Sequence, residues 1–315
     1  MSNNDEFSSD QIHKDLDAYA EKNDTDLVAY FGDITRERYR QLNRQLQKRK
    51  LRKNILLFLI TYGGDPNAAY RISRAFQECY NTIDKVKGDL PSSSAGRGGT
   101  FTVYVDSICK SAGTIICLGA DKLIMSENSE LGPIDVQLRK QDEVGERTSG
   151  LTPIQAIQVL ETQSVKLFDR HFRELRNPEN LGFSTRMAAS IASQLTIGLL
   201  TAVYQQIDPI RLAEVDRSLK ISGDYGSRLA NNGNLKDGAI EKLLAKYPSH
   251  NFVIDRSEAG ELFSIVERPD QELMQIADYL RPIAEWTLDQ ESGFVVLLST
   301  ESSSDMVPPT SGTQE

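Results

Sequence analysis

The segment Asn54–Pro66, NILLFLITYGGDP, limits the possible folds more than any other part of the chain. Ile55–Thr61 is a continuous run without polar alternation, as expected of a strand buried on both faces. Gly63 and Gly64 break the run, Asp65 is a candidate N-cap, and Pro66 suits a first helical turn. Ala69, Ile72, Ala75 and Phe76 then recur at helical spacing. A second unit follows in FTVYVDSICKSAGTIICLGADKLIMS. It predicts a strand at Phe101–Val105, a short buried helix at Ser111–Gly119 and a further strand at Lys122–Met125. Two such units in succession predict an α/β fold with right-handed crossovers.

Around this pair the chain divides by composition. Residues 1–25 are acidic and polar and are expected to be disordered, as is the Ser/Thr/Pro-rich tail 301–315. The folded body is therefore expected over 26–300. It opens on a strand from Leu27 and a helix from about Thr35, and nine Lys or Arg residues lie between Arg36 and Lys53. That run reads as a solvated basic face, with an anion or acidic-partner contact as the alternative. The stretch 89–100 reads as a surface loop. Helices are expected at Thr152–Leu175, Ser184–Leu200 and Asp208–Leu219, with a helical insertion over about 176–245. A short strand at Phe252–Ile254 and a helix from about Ser257 close the body.

Charge and cysteines exclude several classes. Thirty-six basic against 45 acidic side chains leave a net charge of −9, which argues against a general nucleic-acid binder. Cys79, Cys109 and Cys117 have neither disulfide-framework nor zinc-ligand spacing. The N-terminus lacks the layout of a secretory signal, and no compact apolar run approaches the ~20 residues of a membrane span. A cytoplasmic protein without membrane or metal partners is the expectation.

Two turns could carry chemistry. In open α/β folds ligands gather at the carboxyl ends of strands. A Gly63–Gly64 turn there can present bare backbone N–H groups. Ser111, in CKSAGT, also sits at a strand-to-helix turn. A serine hydroxyl beside amide donors is the arrangement acyl transfer needs: the hydroxyl attacks and the N–H groups hold the oxyanion. Small residues at such turns also let a helix pack close to a strand, so a purely structural role stays open. A P-loop lacks its Gly-Lys-Ser/Thr ending, and the GxSxG frame does not fit. Cys109 is a less suitable nucleophile, on the strand side of the turn.

TYGGDPNAAYRIS followed by KSAGTIICLGADKLIMSENSELGPID resembles the Clp/crotonase-fold serine peptidases. Within them it is most similar to the serine dehydrogenase proteinases, relatives of signal peptide peptidase A. The likeness covers residues 55–140 well and 153–175 loosely, with YPSHNFVIDRSEA as the closing segment. It implies an α/β spiral of β-β-α units with additional helices, and peptide-bond hydrolysis without a cofactor. It makes Ser111 the nucleophile, with oxyanion donors from Ala112 and the Gly63–Gly64 turn. Tyr62 stands where that family usually has proline.

The resemblance leaves the base open. The Clp histidine position, after the serine's helix, is occupied here by Gly132-Pro133-Ile134-Asp135. His250 falls near the position of the Clp aspartate, so an exchange would assemble Ser111, His250 and Asp135 as a triad. The competitor is a Ser111–Lys166 dyad, in which Lys166 would need burial to act as a base. His171 reads as a surface residue and Lys110 as pointing away from the site. The resemblance further implies a protein or peptide substrate, a homo-oligomer and an unfoldase or adaptor partner. Two other functions fit the same fold: a crotonase-like acyl-CoA enzyme, which the Arg36–Lys53 run would suit, and an inactive oligomeric scaffold.

Overall fold

The computed structural model describes residues 9–47, 52–80, 98–134, 137–139, 147–149, 151–177, 179, 181–230, 233–290 and 293–298. The expected C-terminal tail and Asp135 lie outside these residues. The chain divides into two compact units, one comprising 1–134 with 221–315 and the other 135–220.

In chain order the first unit contains α1 (Ser9–Lys22), β1 (Thr25–Gly32), α2 (Arg36–Gln47), β2 (Asn54–Ile60) and α3 (Pro66–Tyr80). Then come β3 (Phe101–Val105), β4 (Ile108–Cys109), α4 (Ala112–Leu118), β5 (Lys122–Met125) and β6 (Glu130–Leu131). The second unit holds the antiparallel pair β7 (Gln137–Arg139) and β8 (Arg147–Ser149), then α5 (Leu151–Arg176) and α6 (Thr185–Tyr204). The helix α7 (Pro209–Leu229) starts in the second unit, and from Ile221 its residues belong to the first. The first unit closes with α8 (Ala239–Glu241), a π-helical turn at Lys242–Lys246, α9 (Arg256–Leu262), β9 (Val266–Glu267), α10 (Gln271–Asp289) and β10 (Gly293–Leu297).

The main sheet has the order β10-β1-β2-β3-β5-β9, parallel except at the β10 edge. The central strand β2 reads as an unbroken apolar run over Ile55–Ile60 because both its faces are covered. On one face Val28, Tyr30, Leu57, Leu59 and Val103 join Phe76 of α3 and Ile115 of α4. On the other, Leu27, Ala29, Phe31, Leu56 and Phe58 meet Leu16 of α1 and Leu273, Ile276 and Leu280 of α10. Odd and even residues of one strand thus serve two separate cores, as the two-residue period requires.

A second, narrower ribbon runs beside the main sheet. Ile34 bridges Gly64, Thr61 bridges Cys109, β4 pairs with β6, and Leu131 bridges Ile254. The strands β1, β2 and β3 each lead through a short ribbon segment into a helix, which produces the repeating β-β-α unit. Phe252–Ile254 contributes only the bridge at Ile254, where the sequence predicted a strand.

Two expectations are corrected. Residues 9–22, assigned to a disordered segment, form α1, with Leu16 and Ala20 fully buried. Ile12, Leu16, Tyr19 and Ala20 make a helical stripe that average polarity conceals. The separate unit spans 135–220 rather than a 176–245 insertion, since Leu229 and Leu243 are fully buried in the main core. Among the described residues α6 is the one helix long and apolar enough to cross a membrane by length and composition. No charge falls between Met187 and Ile207, although scattered Ser, Thr and Gln break up the apolar run.

Candidate active site

Ser111 follows the ribbon strand β4 and is the N-cap of α4. Its backbone is at φ 53° and ψ −114°, one of two non-glycine residues among those described with a positive φ. Such a conformation costs about 1–3 kcal/mol and persists only where the surroundings enforce it. Here the enforcing bonds are Lys110 N–H to the Thr61 carbonyl at 2.9 Å and Gly113 N–H to the Lys110 carbonyl at 2.8 Å. The half-buried Ser111 side chain does not cap its own helix.

The glycine turn lies directly against it. A Cβ added to Gly63 would stand 2.9 Å from Ser111 Cβ and 3.3 Å from its Oγ, so only glycine fits this approach. Gly63 and Gly64 both have positive φ, at 122° and 141°. The Gly63 N–H donates to Thr61 Oγ1 at 2.9 Å, and the Gly63 carbonyl accepts from Ile34 N at 2.8 Å. Asp65 N–H donates to the Ile34 carbonyl at 2.8 Å, which leaves the intervening Gly64 N–H outside the bridge. Ala112, as the first residue of α4, has no intrahelical acceptor for its N–H. Two donors, from Gly64 and Ala112, are thus available where the strand ends carry Ser111.

The other small residues of this region have a packing role. A Cβ on Gly113 would meet Thr61 Cγ2 at 2.5 Å, and one on Gly119 would meet Ser73 Oγ at 2.0 Å. They let α4 lie close to the ribbon and to α3. Packing explains these glycines but not the strained backbone of Ser111.

Sequence reasoning missed what Lys110 and Thr114 do. Lys110 turns inward and is only 6% exposed. Its ammonium donates to the carbonyls of Leu131 and Phe252 at 3.2 Å each and pairs with Glu130 at 3.0 Å. Thr114 Oγ1 donates to the Gly132 carbonyl at 2.7 Å. These bonds tie the Ser111 turn to the LGP segment and to the loop that carries His250. A lysine between the buried Cys109 and a serine turn was the available signal.

His250 is buried, at 7% exposure, two residues before the Phe252 carbonyl that Lys110 holds. Lys166 is exposed on α5 of the other unit. His171, expected at the surface, has a side chain only 17% exposed, with Nδ1 3.9 Å from Glu174. Cys109 is fully buried, and burial with the Cys117 sulfur 3.8 Å away pushes its thiol well above the usual range. That makes it a poor nucleophile beside the accessible serine.

No family model matches the chain, and no curated protein matches it. Among solved structures, two of the 1510-N membrane-bound stomatin-specific protease share 16% and 18% identity with it. The second of these is a complex with a substrate peptide. Both alignments cover 54% of this chain, and 69% and 63% of theirs, with a TM-score of 0.28. An enoyl-CoA hydratase from Streptomyces coelicolor shares 12% identity over 85% of this chain and 70% of its own, with a TM-score of 0.37. None of these likenesses carries an activity to this chain. The strand order and the ribbon beside it define an α/β fold, a Clp/crotonase-like spiral of β-β-α units with additional helices.

Proposed function

We propose that the protein is a serine endopeptidase of the serine dehydrogenase proteinase type, acting through an acyl-enzyme on Ser111. The observation that carries this reading is the positive φ of Ser111 beside the Gly63–Gly64 turn. The strained turn sets a half-buried hydroxyl against Gly63, at the turn where Gly64 and Ala112 supply N–H donors in this reading.

In the reaction, Ser111 Oγ attacks the scissile carbonyl while a base takes its proton. The oxyanion receives the N–H groups of Gly64 and Ala112, donors worth about 2.7–4 kcal/mol each in such sites. Collapse of the intermediate expels the amine, which takes the proton back from the base. Water, activated by the same base, then releases the acyl group.

His250 is the base in this proposal, with Asp135 as the residue that fixes its tautomer. Its burial, and the Lys110 bonds that link its loop to the serine turn, support it over Lys166. Lys166 is exposed, without the burial a lysine base requires. A homo-oligomer belongs to the same reading, supported by the apolar side chains that α5 and α6 leave exposed, Val165 at 68% and Ile197 at 65%. Sedimentation velocity tests it. An acyl-CoA enzyme would use the same two N–H groups but would leave the strained serine without a role.

The test is hydrolysis of an unfolded protein substrate by purified wild type, Ser111→Ala, His250→Ala and Lys166→Ala. Cleavage should be lost in the first two variants and kept in the third. Wild-type protein that cleaves nothing yet is stabilised by coenzyme A in thermal unfolding would replace this reading with the acyl-CoA one.

A further inference from the structure

A groove of about 810 Å3 lies in the first unit between α2, α3 and the last turns of α7. Five arginines line it: Arg36 and Arg40 from α2, Arg71 and Arg74 from α3, and Arg228 from α7. One acid, Glu78, faces them, and Arg74 engages it at 3.3 Å. Arg36 is held by Asp65 at 3.1 Å. Among the described residues, Arg40 and Arg71 form no ion pair. In a chain of net charge −9, this concentration of cations is a local exception. Like charges gathered around one concavity repel unless an anion fills it.

The groove also has a rigid aromatic wall. Tyr70 and Tyr225 stack with centroids 4.4 Å apart and an interplanar angle of 16°. The Tyr225 hydroxyl donates to Asn67 Oδ1 at 2.8 Å, which fixes the ring. Tyr39 lines the same space. Planar guanidinium groups match phosphate oxygens in pairs, and tyrosine faces accept a stacked base. The volume lies within the range of sites for small ligands. Strong acidity elsewhere disfavours a long nucleic acid, so the occupant is a small anion.

We propose that this groove is a binding site for a polyphosphate-bearing small molecule, with a nucleoside triphosphate as the form that also uses the tyrosine wall. Phosphates lie between Arg40, Arg71 and Arg228, and Arg74 and Arg36 close the ends. The proposal is independent of any role for Ser111, since none of its residues belongs to that site.

Calorimetric titration of the full-length protein with ATP and, separately, with inorganic tripolyphosphate tests it. Variants Arg40→Gln and Arg71→Gln, singly and together, are compared with Arg186→Gln on α6 as a control. Both replaced groove arginines are exposed, and thermal unfolding without ligand checks that the variants stay folded. Binding should weaken with added salt and fall by about tenfold or more in the double variant, as expected for lost charge-assisted bonds. Tighter binding of ATP than of tripolyphosphate assigns the base to the tyrosine wall. Equal affinity leaves the phosphate chain as the recognised group, which also supports the site. No binding of either probe, or binding undiminished in the double variant, overturns the proposal.

Discussion

Replacing Lys110 by methionine separates the polar role of this side chain from its packing. The methionine stem keeps the contact with Gly132, where an added Cβ would lie 2.6 Å from Lys110 Cδ. What is lost is the ammonium, with its two carbonyl bonds at 3.2 Å and its Glu130 pair at 3.0 Å. Hydrogen bonds to a charged group contribute about 1.5–3 kcal/mol each. Relief from desolvating the ammonium offsets part of that loss. Glu130 recovers part of the rest, because its side chain is 24% exposed and can turn to water. The two carbonyls, Leu131 above all, are left facing a thioether. A net destabilisation of about 2–4 kcal/mol follows. Urea unfolding followed by circular dichroism measures it. A second arm adds Glu130→Gln, which should cost less in the methionine background than in wild type, because its partner is already gone. A loss below about 1 kcal/mol for Lys110→Met would refute the view that this lysine ties the serine turn to the His250 loop.

Gly64→Ala should destabilise by at least about 2 kcal/mol, since φ is 141° and the new Cβ would lie 2.3 Å from the Ile34 carbonyl oxygen; thermal and urea unfolding check this. Burial tends to raise the Asp65 carboxyl, but bonds from Asn67 and Arg36 outweigh it and hold the group below its ordinary 3.8. The stability it contributes is therefore present above pH 3.8 and is lost as pH falls below that value, so the gap between wild-type and Asp65→Asn unfolding curves should close only there. Thiol reagents should modify Cys79, which is exposed, and leave Cys109 and Cys117 untouched until denaturant is added; mass mapping of the adducts reads this directly.

Much of the architecture was legible because it rests on local signals. The run Ile55–Ile60, the glycine turn and the spacing Ala69, Ile72, Phe76 each specify one element, and β2 and α3 form where they predict. The turn at Ser111 was legible for the same reason. Less was visible where the structure depends on distant partners. The strand β10 pairs antiparallel with β1 across more than half the chain, and nothing within GFVVL names that neighbour. The helix α1 survives because α10 and β1 bury Leu16, a tertiary effect that outweighs its polar composition. Lys110 reads only as a side chain pointing away from the site until Leu131 and Phe252 are brought to it. Asp65 could be identified as a candidate cap, and its Oδ1 accepts from Asn67 N–H at 2.8 Å, because such bonds act within one turn.

Labelling with a fluorophosphonate probe distinguishes an activated serine from an inert one. The adduct is mapped by mass spectrometry on folded wild type and on Ser111→Ala, with His250→Ala and Lys166→Ala beside them. One adduct is expected, on Ser111, absent from Ser111→Ala and from His250→Ala and retained in Lys166→Ala. Folded wild-type protein that never labels, or that labels equally in Ser111→Ala, would contradict an activated Ser111.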